Sequence, residues 1–250
     1  MKQPHIALDE SLGISYAILP GDPARIDRIA GLLEQPKALA HNREFRSLRG
    51  KYRGIDVLAL STGIGGCSAG IALEELHGIG IRAVIRVGSC GALQSGIALG
   101  DLILASGAVR DDGASKAYLP GIYPAFADIE LLSCALKAAR TLGIRHHEGV
   151  IHSHESFYHD EADQQSAFWA SRGILGADME TAALMTIGRL RGIKVASILN
   201  NVVLYGADTA NAIGAYADGA ERTARGELDA IRVALESFAQ LDVQKRGTEK

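Results

Sequence analysis

Short apolar runs recur along the chain at Tyr16–Leu19, Ile55–Ser61, Ala83–Val87, Asp101–Ala108, Val150–His154 and Val195–Asn201. Their length is that of buried strands. A different rhythm separates several of them. Cys67–His77 keeps apolar residues at 67, 71, 73 and 76, and Ile129–Leu142 keeps them at 129, 132, 136 and 139. Glu180–Leu190 and Thr223–Leu241 behave likewise, which predicts four helices with one apolar face each. Strands alternating with helices predict an α/β sandwich with a largely parallel or mixed sheet. Many of the 29 glycines close the apolar runs, where strand-to-loop turns need positive φ. With no linker, repeat or low-complexity stretch, residues 1–250 read as one domain, and the polar tail Gln244–Lys250 is expected to fray.

A chain of 250 residues buries about 70% of its surface on folding, enough for a core without disulfides or metals. Hydrophobic content of 47% against 22% charged excludes a disordered chain. Lys and Arg number 26 against 29 Asp and Glu, a net charge of −3, which disfavours broad nucleic-acid binding and leaves room for a local anion site. The three cysteines Cys67, Cys90 and Cys134 suit a reducing compartment. The opening MKQPHIALDE lacks the pattern of a secretory signal, and no run is long and apolar enough for a membrane helix, so the expected location is the cytoplasm.

In α/β sheets ligands bind at the carboxyl ends of strands, and the sequence is read for chemistry there. After the first run comes Pro20-Gly21-Asp22-Pro23-Ala24-Arg25. Asp22 is suited to an N-cap and Pro23 to the first helical position, which leaves Arg25 in the first turn. Such a helix start is either an anion site or a plain capped helix. In Val84-Ile85-Arg86-Val87-Gly88-Ser89-Cys90-Gly91, Arg86 interrupts a buried run and needs an anionic partner, from the protein or from a ligand. Ser89 follows in a glycine-flanked turn, and Cys90 reads as a packed residue rather than a nucleophile. His41-Asn42-Arg43-Glu44-Phe45 is by itself a solvated charge run. Asp178 and Glu180 stand two apart at a strand-to-helix junction, either capping the helix or reaching hydroxyls of a ligand. His152 and His154 form an HxH pair without the further ligands of a familiar zinc site.

Taken together these stations resemble the nucleoside phosphorylase family, in the branch of hexameric purine nucleoside phosphorylases and uridine phosphorylases. The matching pieces run in order: PHI at 4–6, PGDPAR at 20–25, NREFRS at 42–47, STGIGGCSAGIALEEL at 61–76, VIRVGSCGAL at 84–93, GDLILASGAVRDDGAS at 100–115, ESFY at 155–158 and LGADMETAALM at 175–185. The resemblance implies a three-layer α/β/α sandwich with a mixed, twisted central sheet, in dimers assembled into a hexamer. It implies phosphorolysis of a nucleoside, with inorganic phosphate as co-substrate and no organic cofactor. By position, Gly21, Arg25, Arg86 and Ser89 would hold phosphate, and Arg43 would reach the phosphate of a neighbouring subunit. Met179 and Glu180 would hold the ribose, His5 its 5′-hydroxyl across the same interface. Phe157 would pack on the base, with Asp178 beside it. Glu44, Ile64 and Ser68 fall where the uridine branch holds a potassium ion between subunits.

Two positions depart from the family pattern. The purine branch carries a Ser-Asp pair after its last core strand, where this chain has Val202-Val203. Asp208 is the nearest carboxyl for protonating a leaving base, with Asn201 and Tyr205 as the other groups at hand. The uridine branch reads uracil with a Gln and an Arg, where this chain has Glu161 and Asp163, both acceptors. The spacing from Phe157 to Asp178-Met179-Glu180 matches the purine branch, so a purine nucleoside is the favoured substrate and uridine the alternative. A nucleosidase using water and a non-catalytic nucleoside-binding protein are further alternatives.

Overall fold

The structure, a computed structural model, describes residues 1–207 and 220–248. The predicted apolar runs are all strands: β1 (Tyr16–Pro20), β4 (Ile55–Leu60), β5 (Ala83–Ala92), β6 (Leu102–Asp111), β8 (His146–His154) and β10 (Lys194–Val203). The sheet adds β2 (Glu34–Asn42), β3 (Phe45–Tyr52), β7 (Ala125–Phe126) and β9 (Gly176–Asp178). The predicted helices are α2 (Gly66–Gly78), α4 (Ile129–Thr141), α6 (Thr181–Leu190) and the C-terminal helix (Ala220–Thr248). Short helices α1 (Arg25–Ala30), α3 (Gly113–Tyr118) and α5 (Ala162–Ala170) lie in the connections. None of the helices among the described residues is long and apolar enough to cross a membrane.

Alternation along the strands divides the core into two layers. Ala17 and Leu19 of β1 face α2 and α6 through Leu73, Leu76, Leu184 and Ile187. Tyr16 and Ile18, one residue out of phase, face α1, α4 and the C-terminal helix through Ile26, Leu131, Ile231 and Phe238. This is the three-layer sandwich, with its period of two set by the pleat.

The sheet is mixed and partly closed. β5 pairs in parallel with β10, β10 antiparallel with β6, β6 in parallel with β8, β8 in parallel with β9, and β9 returns antiparallel to β5. β1, β4, β3 and β2 extend from the other part of β5 in that order. Two strands therefore share one edge of β5. β1 runs along it from Ala83 and leaves at Val87, while β9 meets it at Ala92 and Gly91 from the opposite direction. The carboxyl ends of β1 and β9 point at each other across Gly88, Ser89 and Cys90, which have no ladder partner on that edge. A gap of this kind is where an α/β sheet offers backbone groups and loops to a ligand.

One local expectation is corrected. α1 starts at Arg25, two residues later than the Asp22-Pro23 pattern predicts, and Ala24 sits at its N-cap without a side-chain cap. The Asp22 carboxylate instead accepts the Ala24 N–H at 2.8 Å, and Arg25 N–H bonds the Asp22 carbonyl. Asp22 and Pro23 thus form a tight turn that delivers Arg25 to the gap.

Candidate active site

A cleft of about 680 Å³ occupies that gap. Three stretches of chain enclose most of it. The loop after β1 brings Gly21 and Arg25, β5 itself brings Arg86, Gly88 and Ser89, and the end of β9 brings Asp178, Met179 and Glu180. Ile64, His154, Phe157, Val202 and Val203 complete the wall. Gly21, Arg25, Arg86, Ser89, Met179, Glu180, Phe157 and Asp178, expected on phosphate, ribose and base, therefore share one cavity.

Arg86 is 4% exposed and its charge is matched by the protein. Its Nε donates to Asp178 Oδ2 at 3.0 Å, and its Nη2 lies 2.6 Å from Glu180 Oε2. Burial works against the charge, but Glu180 and Asp178 outweigh it and raise the guanidinium pKa. A Cβ on Gly88 would stand 2.5 Å from Arg86 Nη2, so the guanidinium lies back over Gly88 and a side chain there would displace it. Glu180 is held twice more, by the Gly65 N–H at 2.6 Å and the Met179 N–H at 3.3 Å. That places a carboxylate beside the Arg86 charge at the cleft wall.

Asp178, expected at the base, is committed elsewhere. Its side chain has no exposed surface. It accepts from Arg86, from the Thr181 hydroxyl at 2.6 Å and N–H at 3.1 Å, and from the Ser153 hydroxyl at 2.6 Å. Parallel pairing of β8 with β9 sets Ser153 opposite Asp178 and makes this web possible. Ser153 and Thr181 carried no signal in the sequence, because a buried serine or threonine reads as packing until its partner is known.

Arg25 is anchored from 202 residues away in sequence. Its Nε donates to Glu227 Oε2 at 2.8 Å, its Nη1 to the Val87 carbonyl at 3.2 Å and its Nη2 to the Ser89 hydroxyl at 2.6 Å. Arg28 pairs with the other Glu227 oxygen. Sequence reading passed over Glu227 because it sits inside a long amphipathic helix with nothing nearby to mark it.

Other expected residues lie outside the cleft of their own chain. The His5 ring sits 2.5 Å from Glu75, whose carboxylate also accepts the His5 and Ile6 backbone N–H groups. Arg43 is exposed at the tip of the β2–β3 hairpin, with φ 56. Glu44 accepts the Ser68 hydroxyl at 2.7 Å, which holds its carboxyl below the usual range, and Ile64 is exposed at the cleft mouth. Glu161, at the N-cap of α5, and Asp163, in its first turn, are exposed and do not line the cleft. Asp208 lies outside the described residues. Asn201 is no substitute for it, being fully buried with its amide on the Ala98 carbonyl at 3.0 Å.

The cysteine and histidines resolve by environment. Cys90 lines the cleft floor, yet burial pushes its thiol far up, which leaves it un-ionised and a poor nucleophile. His152 is buried against Trp169, with Nε2 3.1 Å from Asp111, and burial lowers its pKa. His154, next on the same side of β8, reaches the cleft. Of the HxH pair, His152 is therefore core and His154 lines the site.

Comparison with known proteins adds a family to this geometry. The model of the Phosphorylase superfamily matches residues 15–234. A guanosine phosphorylase of Halorubrum lacusprofundi is 37% identical over 237 residues, covering 92% of this chain and 98% of that protein. A uridine phosphorylase of Escherichia coli is 34% identical over 242 residues, covering 92% and 93%. The crystal structure of uridine phosphorylase from Vibrio fischeri superposes with a TM-score of 0.89 at 48% identity, covering 96% of this chain and 98% of that one.

Proposed function

The chain belongs to the phosphorylase superfamily, and on that premise we propose that it cleaves purine nucleosides with inorganic phosphate, releasing free base and pentose-1-phosphate. The observation that carries the reading is the convergence of Arg25, Arg86, Ser89, Glu180, Met179 and Phe157 on one cleft. Two guanidiniums and a hydroxyl at one end suit a phosphate dianion. A buried carboxylate at the middle suits vicinal ribose hydroxyls, and the Phe157 ring beyond it suits a base.

The chemistry follows from that order. A phosphate oxygen attacks C1′ as the C1′–N bond breaks, and the bonding pair leaves with the base, which takes up a proton. Positive charge builds on the sugar in between, and a phosphate held beneath C1′ stabilises it and then captures it. Arg25 and Ser89 orient the phosphate and Arg86 shares its charge between phosphate and the Glu180 carboxylate. Asp178 acts as a positioning residue beneath Arg86, since its carboxylate is wholly engaged by the protein. His5 and Arg43 are assigned to the cleft of a neighbouring copy. Glu44 and Ser68 offer adjacent hard oxygens at the cleft mouth near Ile64, which fits a monovalent cation such as potassium held between two copies.

The preference for a purine is supported by the similarity to the guanosine phosphorylase of Halorubrum lacusprofundi and by the apolar far wall of Val202 and Val203. Uridine is the second reading, favoured by the Vibrio fischeri protein at 48% identity. A panel of inosine, guanosine, adenosine, uridine and thymidine, with and without phosphate, separates them. Inosine or guanosine is expected to be cleaved fastest, and only with phosphate. Fastest cleavage of uridine would establish the second reading, and base release without phosphate would make the protein a hydrolase.

A further inference from the structure

A purine leaves the sugar well only if its imidazole ring is neutralised as the C1′–N9 bonding pair arrives, and the group that supplies the proton to N7 has to stand beside the base. At the base end of the cleft the wall consists of Phe157, Val202, Val203 and His154. Among the described residues of that wall, His154 is the one titratable side chain. Parallel pairing puts Ser153 opposite Asp178, so His154 lies at the position next to Met179 and Glu180, where the ribose is placed.

The ring is oriented. Its Nδ1 is 3.0 Å from the Ser156 carbonyl oxygen, an atom that can only accept, so Nδ1 carries a hydrogen. Nε2 is then the face of the ring that exchanges a proton with something else, and it has no hydrogen-bond partner among the described residues. On the inner side the ring lies 5.6 Å from His152, itself packed 5.3 Å from Trp169. The charged groups around it are Asp111, its register partner on β6, and Arg86, Asp178 and Glu180 across the cleft. Asp111 is already engaged by His152 and Gln165.

We propose that His154 is a catalytic residue, the general acid that donates its Nε2 proton to N7 of the departing purine. The inference rests on the purine reading above. In the step, the C1′–N9 pair moves into the purine ring, the Nε2–H bond breaks as N7–H forms, and the phosphate oxygen closes on C1′. Imidazolium becomes neutral imidazole and the neutral base departs. In the reverse direction the same imidazole removes the N7 proton.

The test uses substrates that differ in their need for a proton. Guanosine needs one at N7. 7-Methylguanosine already bears a fixed positive charge there and needs none. For His154→Gln, the ratio of guanosine to 7-methylguanosine kcat is expected to fall about 100-fold relative to wild type, the usual contribution of a positioned acid. An unchanged ratio would overturn the proposal, and so would equal loss on both substrates, which is the mark of a merely structural residue. Asp208→Asn run in parallel is expected to keep the wild-type ratio; a collapse there with His154→Gln unaffected would also overturn it. A wild-type enzyme inert towards every purine nucleoside would defeat the purine reading first, before any variant is made.

Discussion

Arg86 lines the cleft almost wholly buried, and what holds it there is as much a missing atom as a charge. Its guanidinium lies against Gly88, where a Cβ would come within 2.5 Å of Nη2 and 2.6 Å of Cζ. Between those atoms and the new methyl, only the guanidinium is free to move. Gly88→Ala should therefore leave the fold cooperative while displacing Arg86 from Asp178 and Glu180. The expected result is a phosphate KM raised at least about tenfold, equivalent to about 1.4 kcal/mol, with a sharp thermal transition retained. Arg86→Ala differs in kind. It strands two buried carboxylates, and losing one partner of such an arrangement costs about 3–5 kcal/mol. An unaltered phosphate KM in Gly88→Ala would show that Arg86 does not meet phosphate.

At the scale of elements, the site depends on how strands end and on one distant helix. β1 and β9 approach each other along β5, and the C-terminal helix closes over the phosphate end through Glu227, which takes Arg25 and Arg28 together. Glu227→Gln should keep the helix, since the amide fits the same space, but it removes the anion that fixes Arg25. Phosphate KM should rise several-fold with kcat less affected, and titration of initial rates against phosphate would show it. The apolar runs that became β1, β4, β5, β6 and β10 were legible because both faces of each are largely covered, and β8 because its end from Ile151 to Ser153 is buried. β2 was not, because it is an edge strand whose residues are mostly exposed, so it carries no alternation for a reader to find. β9, at three residues, is too short to show a period. The loop after β1, Arg86, Ser89 and Glu180 were legible because their chemistry is unusual where it stands. Glu227, Ser153 and the separate fates of His152 and His154 depend on pairing between distant segments, which local pattern cannot express.

The whole molecule leaves two expected site residues facing away from its own cleft, and this sets the last prediction. His5 is tied to Glu75 by ring and backbone, so its placement is deliberate, and Arg43 stands exposed at a hairpin tip held in register by Asn42 and Phe45. If Arg43 completes the cleft of a second copy in a two-fold dimer, the two defects Arg43→Ala and Arg86→Ala belong to different sites. Each variant alone is then nearly inactive in phosphorolysis. A mixed dimer contains one cleft with its own Arg86 intact and a partner able to lend Arg43, alongside one cleft lacking both. Random pairing makes half the dimers mixed, so co-expression should restore about a quarter of wild-type activity. Arg25→Ala co-expressed with Arg86→Ala provides the contrast, since both residues line the cleft of their own chain and no mixed dimer regains an intact site. Recovery in the first pair and none in the second would place Arg43 across the interface. No recovery in either would take Arg43 out of the neighbouring cleft and remove its argument for an obligate dimer.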